Sequence, residues 1–382
     1  MSPAGPSSRW DGNRHWLCGM IKGCLCLLLL LLLLPAARAG ELEDAVGMDR
    51  LSGAAEEYLD GYLRVEDVTG NSFSEGVRSI LDTGSGELPG ALRRAGRSGV
   101  LLLAVALLCG LAETMKDELG GDGLDPVRLA GTAAVTAIAA GDVYSLMGLG
   151  RQAMEQMDTF SKVLLPAVTA ACAAAGAPAS AVARQGVSLL FFALLLTVAD
   201  RILMPLVYAY VAASAAQTAL NNDGLKRVAG LVKWAVTGLL SALLMLFVCY
   251  LTISGAVAGN ADALTQKAAK TVLSGMVPVV GGILSDAAET VVAGAGVLKG
   301  TVGVVGLLAV LAICLTPFLQ LGAHYLVYKV AAALSATVTP GPVAGLIDAI
   351  GGAFALVLGM TGGSALILYV ALITSLKAVS GG

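Results

Sequence analysis

Residues 228–257 read VAGLVKWAVTGLLSALLMLFVCYLTISGAV, a run with one charge, Lys233. A helix of that length rises ~45 Å at about 1.5 Å per residue, more than the ~30 Å hydrocarbon core of a bilayer. Such a run reads as a membrane span, and it is not alone. Further apolar runs lie near 99–113, 129–149, 163–182, 187–216, 272–297, 302–322, 323–338 and 352–376. Of the 382 residues, 57% are hydrophobic and only 13% charged, with a mean hydropathy of +0.81. A soluble domain carries about 25% charge. That shortfall excludes an ordinary soluble enzyme, a disordered chain and a nucleic-acid binder. A β-barrel would alternate over segments of about 10 residues, whereas these runs are continuous. The fold class is therefore all-α, a polytopic helical membrane protein with about seven to nine spans.

Outward from this core, the N-terminus reads as an export signal over 1–39. Arg9, Arg14 and Lys22 precede the apolar run Leu25–Leu34, and Ala37-Arg38-Ala39 supplies a small-x-small cleavage pattern. The alternative is an uncleaved first span. Residues 40–95 form an acidic, amphipathic, extracytoplasmic segment, with twelve Asp/Glu between Gly40 and Gly90 against Arg50, Arg64 and Arg78. Leu42, Val46, Leu51, Ala55, Tyr58, Leu59 and Tyr62 recur at helical spacing, which predicts one or two amphipathic helices. Residues 96–382 form the helical membrane domain. The string Asp82-Thr83-Gly84-Ser85 matches an aspartic-protease motif, but that chemistry needs two facing carboxylates. There is one copy, so it reads as a Gly-rich turn closing a helix at Leu81. Orientation stays in conflict: a cleaved signal leaves Arg93, Arg94 and Arg97 outside, against the positive-inside rule.

Several spans are interrupted. Asp200, Arg201 and Pro205 fall within 187–216, and Pro278, Gly281, Gly282, Asp286 and Glu289 fall within 272–297, which reads as broken or re-entrant. Irregular backbone at membrane depth must be covered by protein or line a wet cavity. Pro166, Pro205, Pro278, Gly281, Gly282 and Pro317 are the candidate helix breaks. Pro166 and Pro278 have the same separation as Pro205 and Pro317, and Val228-Ala229-Gly230-Leu231 recurs as Val343-Ala344-Gly345-Leu346. This suggests duplicated units at 163–216 and 275–328, inverted if each holds three spans.

Charges in or beside apolar runs need partners, water or an end position. Asp286 and Glu289 share a helix face and are the leading candidates for a polar pathway, the alternative being an interfacial helix that exposes them to water. Asp200 and Arg201 are adjacent, so their partners are expected on other helices. Lys233, Lys299 and Lys329 read as snorkelling from span ends, and His324 as structural or interfacial. Asp142 and Asp348 complete the set. Cys109, Cys172, Cys249 and Cys314 read as packing residues, with no metal-ligand or disulfide spacing. There is no Walker A string, no HExxH and no Gly-x-Ser-x-Gly beside a membrane histidine. The chain is expected to be no enzyme and to need no cofactor and no metal.

Four features together resemble the stage III sporulation protein AE family. They are the signal with its acidic segment; Met157-Asp158-Thr159-Phe160 leading to Leu164-Leu165-Pro166 and Gly176-Ala177-Pro178-Ala179-Ser180-Ala181; Val232-Lys233-Trp234; and Lys267-Ala268-Ala269-Lys270 followed by Val277-Pro278-Val279-Val280-Gly281-Gly282, Leu284-Ser285-Asp286 and Leu298-Lys299-Gly300-Thr301-Val302-Gly303. The resemblance implies a role in place of a reaction: a subunit of a secretion-like channel complex in the mother-cell membrane around the forespore, needed for spore formation after engulfment. The implied partners are other membrane proteins of that complex, a separate ATPase chain, ring-forming subunits and the lipid bilayer, with no nucleic acid. The runner-up reading is a free-standing secondary transporter.

Overall fold

The computed structural model describes residues 48–59, 73–117, 126–174, 179–253, 301–338 and 342–380. Among them the chain is helical apart from a turn at Asn221 and Asn222. The helices are α1 (Met48–Leu59), α2 (Phe73–Asp117), α3 (Pro126–Ala174), α4 (Ala179–Val198), α5 (Met204–Leu220), α6 (Asp223–Ile253), α7 (Thr301–Val338) and α8 (Pro342–Ser380). A π-helical turn, Ala199–Leu203, joins α4 to α5. Six helical stretches of the described residues are long and apolar enough to cross a membrane: Ser74–Ala112, Pro126–Pro166, Gly186–Leu220, Asp223–Ile253, Gly303–Thr337 and Pro342–Ile373. The protein is a polytopic all-α membrane protein, and its span number roughly fits the expected range. The signal region 1–39 and the run 272–297 lie outside the described residues.

Two boundaries inferred from hydropathy are corrected. The runs 302–322 and 323–338 are one helix, α7, because Gly322 and His324 stay within it; the His324 Nδ1 pairs with the Gln320 carbonyl one turn back at 2.8 Å. The run 129–149 and the start of 163–182 likewise share α3. The charges between them, Arg151, Glu155, Asp158 and Lys162, form i,i+4 ion pairs (Arg151–Glu155 3.3 Å, Asp158–Lys162 2.6 Å) on the helix surface. No turn is needed to accommodate them.

The expected turn at Leu81 is also overturned, since α2 runs unbroken through Asp82-Thr83-Gly84-Ser85-Gly86 and Pro89. Both hydroxyls bond back into the helix, Thr83 to the Ser79 carbonyl (2.9 Å) and Ser85 to the Asp82 carbonyl (2.7 Å). Gly84 lies so close to Leu315 of α7 that a β-carbon would overlap its side chain. Packing on α7 therefore overrides the local turn composition.

The helices alternate in direction. α2 and α7 run parallel, as Gly84 faces Leu315 and Gly99 faces Val327. At one end lie the C-terminal ends of α2, α5 and α7 and the N-terminal ends of α3, α6 and α8: Thr218 of α5 donates to the Pro342 carbonyl of α8 (3.4 Å), and Gly131 of α3 abuts Cys109 and Val343. At the other end Gly306 abuts Leu164, and Tyr369 donates to the Leu307 carbonyl (2.7 Å). The α5–α6 turn is set by Asn221 in the left-handed region (φ 50°) and by the Asn222 side chain, which accepts from Gly224 N–H (2.7 Å) to cap α6.

α7 and α8 form the central hairpin. Of their most apolar stretches, 83% and 94% is buried by protein, against 28–33% in the other four spans. The surrounding helices carry the lipid-facing side chains, such as Leu108, Leu231 and Trp234. α1 docks against α7 and α3, with Tyr58 edge-on to Phe160 of α3 at 5.7 Å; burial and the Glu57 carboxylate raise the Tyr58 phenol above its usual range. Cys109 and Cys314 are buried as expected, but Cys249 is exposed on the outer face of α6.

Candidate functional site: a polar cluster inside the bundle

Four helices contribute one charge each to a cluster between them, each of these residues being half-buried. Lys329 of α7 forms an ion pair with Asp348 of α8. One residue earlier on α7, Tyr328 donates to Asp142 Oδ2 of α3 at 2.8 Å and stacks edge-on to Phe354 at 5.0 Å. Lys233 of α6 places its ammonium 5.9 Å from the ring centroid of Tyr210 on α5. Asp348 and Lys329 lie within electrostatic reach of Lys233, and Asp348 of Tyr210.

Two glycines make this convergence possible. Gly351 lets α8 meet α7 closely: a β-carbon there would lie 3.1 Å from the Tyr328 Cβ and 3.7 Å from the Lys329 nitrogen. Gly352 leaves room for the Tyr210 hydroxyl and the Lys233 ammonium, which a β-carbon would meet at 3.4 and 3.8 Å. By helix rise Asp348 is ~9 Å from the start of α8, Lys233 ~15 Å into α6 and Asp142 ~24 Å into α3. An unpaired charge at membrane depth costs about 2.5–3.5 kcal/mol or more. Two carboxylates and two ammoniums, with two phenols as donors or ring faces, offset that cost mutually. Chemically, the cluster can hold a proton or a small ion between opposite charges, or lock four helices in register.

Residues 67–378, which contain every member of this cluster, match the family described as stage III sporulation protein AE. The chain belongs to that family. Its sequence is 27% identical over 213 residues to stage III sporulation protein AE of Bacillus subtilis (strain 168), covering 56% of this chain and 53% of that protein. The chain thus spans about half the length of the curated relative it matches. No solved structure matches. The family is a sporulation family, and by name it is not a family of enzymes.

In this family member, Asp200 and Arg201 lie on the π turn, away from the cluster. Asp200 pairs across helices with Arg151 Nε at 2.8 Å, both side chains being about half exposed (40% and 55%), while Arg201 is exposed. Helices expected to break at Pro166 and Pro317 do not: α3 continues past Pro166, exposed on its surface, and α7 past Pro317 within the core. Tertiary packing carries both helices across the missing donor. Pro205 stands in the first turn of α5, where no N–H is required, directly after the change in ladder at 199–203. Pro205 and Pro317 also sit on helices running the same way, which an inverted pair would not. Pro278, Gly281, Gly282, Asp286 and Glu289 lie outside the described residues.

The expected snorkelling of Lys329 is corrected, since it meets Asp348 across the hairpin, and Lys233 is drawn to Tyr210. A sequence signal existed: Lys329 and Asp348 stand nearly equidistant from the α7–α8 connection, so a tight hairpin brings them level.

Proposed function

We propose that this chain is a non-catalytic integral membrane subunit of a sporulation-specific secretion or channel complex linking mother cell and forespore, seated in the mother-cell membrane. The family match over residues 67–378 carries the reading, and six membrane-length apolar helices support it. On this reading other membrane proteins of the complex, ring-forming subunits among them, surround the chain, and a separate ATPase chain supplies energy. Deleting the gene is expected to stop spore formation after engulfment and leave vegetative growth intact; normal spore yield would overturn the proposal.

A free-standing secondary transporter is the second reading, favoured by the charges of Asp142, Lys233, Lys329 and Asp348 inside the bundle. Such a transporter works alone in proteoliposomes, whereas a complex subunit needs its neighbours. Asp286 and Glu289 remain the proposed pathway lining. In a background without native cysteines, cysteines at these two positions are expected to react with a membrane-impermeant thiol reagent, and cysteines at Leu243 and Leu308 are not. Equal protection at all four positions would remove Asp286 and Glu289 from the pathway.

A further inference from the structure

On the outer side of the bundle, α3 and α5 diverge over α8 and leave a groove of ≈ 290 Å³. Its walls carry Ala139 and Ala140 from α3 and Ala212 and Ala215 from α5; Leu346 and Ile350 of α8 form the floor. Apart from Thr136 and two tyrosine hydroxyls, the lining side chains are hydrocarbon. The groove opens outward past Tyr144 and Tyr208, of which 80% and 44% are exposed.

Its two ends differ. From Tyr144 it is seven residues along α3 to Arg151, ~10 Å, and from Tyr208 seven residues back through the start of α5 to Arg201 on the π turn. There the Arg151–Asp200 ion pair ties the two helices together at 2.8 Å, and Arg201 stands exposed beside it. Toward the opposite end, past Thr136, Ala215 and Leu346, the walls are apolar and small. Exposed charges mark where hydrocarbon must stop, and tyrosines one or two turns inside such a belt sit at headgroup level. The groove therefore runs from a polar belt into a space walled by hydrocarbon.

Its width selects the occupant. A helix is ~10 Å or more across and does not enter ≈ 290 Å³. A single methylene chain does: the volume is that of about ten water-sized units of ~30 Å³, and a methylene is of similar size. We propose that this groove binds one acyl chain of an anionic phospholipid, its headgroup held at the belt beside Arg201 and the Tyr144 and Tyr208 hydroxyls. Arg151 is already engaged by Asp200 and Glu155, which leaves Arg201 as the cation that faces the phosphate.

The test uses the full chain in phosphatidylcholine vesicles doped with phosphatidylglycerol bearing a diazirine on one acyl chain, with labelled peptides read by mass spectrometry. Labelling is expected to be several-fold higher on 136–144 and 208–215 than around Leu231 and Trp234, which face outward from α6. Ala212→Phe fills the groove and is expected to bring its labelling down to the α6 level; unchanged α6 labelling in the same variant reports that it folds. Arg201→Gln is expected to abolish the preference for the phosphatidylglycerol probe over a diazirine-bearing phosphatidylcholine. Groove labelling no higher than that of α6, or insensitive to Ala212→Phe, overturns the site. Equal labelling by both headgroups in the unaltered chain overturns the anionic headgroup. Disulfide-linked dimers formed through Ala140→Cys or Ala212→Cys overturn the lipid in favour of a second copy of the chain.

Discussion

Asp348→Leu is expected to destabilise the bundle by about 1–3 kcal/mol, because it removes the carboxylate paired with Lys329 in an ion pair whose side chains are only partly exposed, 22% for Lys329 and 40% for Asp348. Lys233 loses the same carboxylate from its surroundings. The check is thermal unfolding of the purified chain in detergent. Lys329→Leu should cost a similar amount, and the double substitution Lys329→Leu/Asp348→Leu should recover most of it, because replacing both members of an ion pair with apolar side chains leaves no charge without its partner. Spore yield then separates two roles for the cluster. If the double variant folds and sporulates normally, the pair holds helices together. If it folds and fails to sporulate, the charges themselves are used.

Gly351→Leu is the second large effect. The neighbours that a β-carbon at this position meets are the Tyr328 Cβ, the Lys329 nitrogen and, at 3.8 Å, the Tyr325 carbonyl oxygen. Backbone cannot rotate aside as a side chain does, so α7 and α8 must separate. Overpacking of this kind costs about 1–3 kcal/mol, and separation also pulls Lys329 from Asp348. A matched control lies on the same helix: Gly345 has nothing within 4 Å of its would-be β-carbon, and Gly345→Leu should be nearly silent. Unfolding midpoints of the two variants, measured side by side, decide the matter; equal midpoints would remove the close approach of α7 and α8 from the account of stability.

The apolar runs announced the helices because a membrane span must be both long and dry. Their ends were harder to read. Arg151, Glu155, Asp158 and Lys162 interrupt hydropathy without interrupting backbone hydrogen bonds, since they share one exposed side of α3. The Asp82-Thr83-Gly84-Ser85 string has turn composition, yet its hydroxyls find acceptors within α2 and its glycine finds Leu315. Asp142, Lys233, Lys329 and Asp348 were visible as charges in apolar runs. What they touch depends on which helices are neighbours, and spacing within one helix does not carry that. Only Lys329 and Asp348 could have been paired in advance, from the shortness of the connection between α7 and α8. The pathway candidates Asp286 and Glu289 lie beyond the described residues, so nothing in the fold bears on them.

The length of α2 has a consequence for how neighbours meet this protein. Its 45 residues rise ~67 Å, more than twice the ~30 Å hydrocarbon layer. Arg78, Asp82, Glu87, Arg93, Arg94 and Arg97 fall within its first 25 residues, all but Asp82 and Glu87 basic and all exposed. Lipid tails do not solvate such a row of charges, so the open side of this stretch needs water or protein against it, while α7 packs along the other side. A neighbouring chain that brings carboxylates to this row of arginines gains a grip on α2 along the side that α7 leaves open.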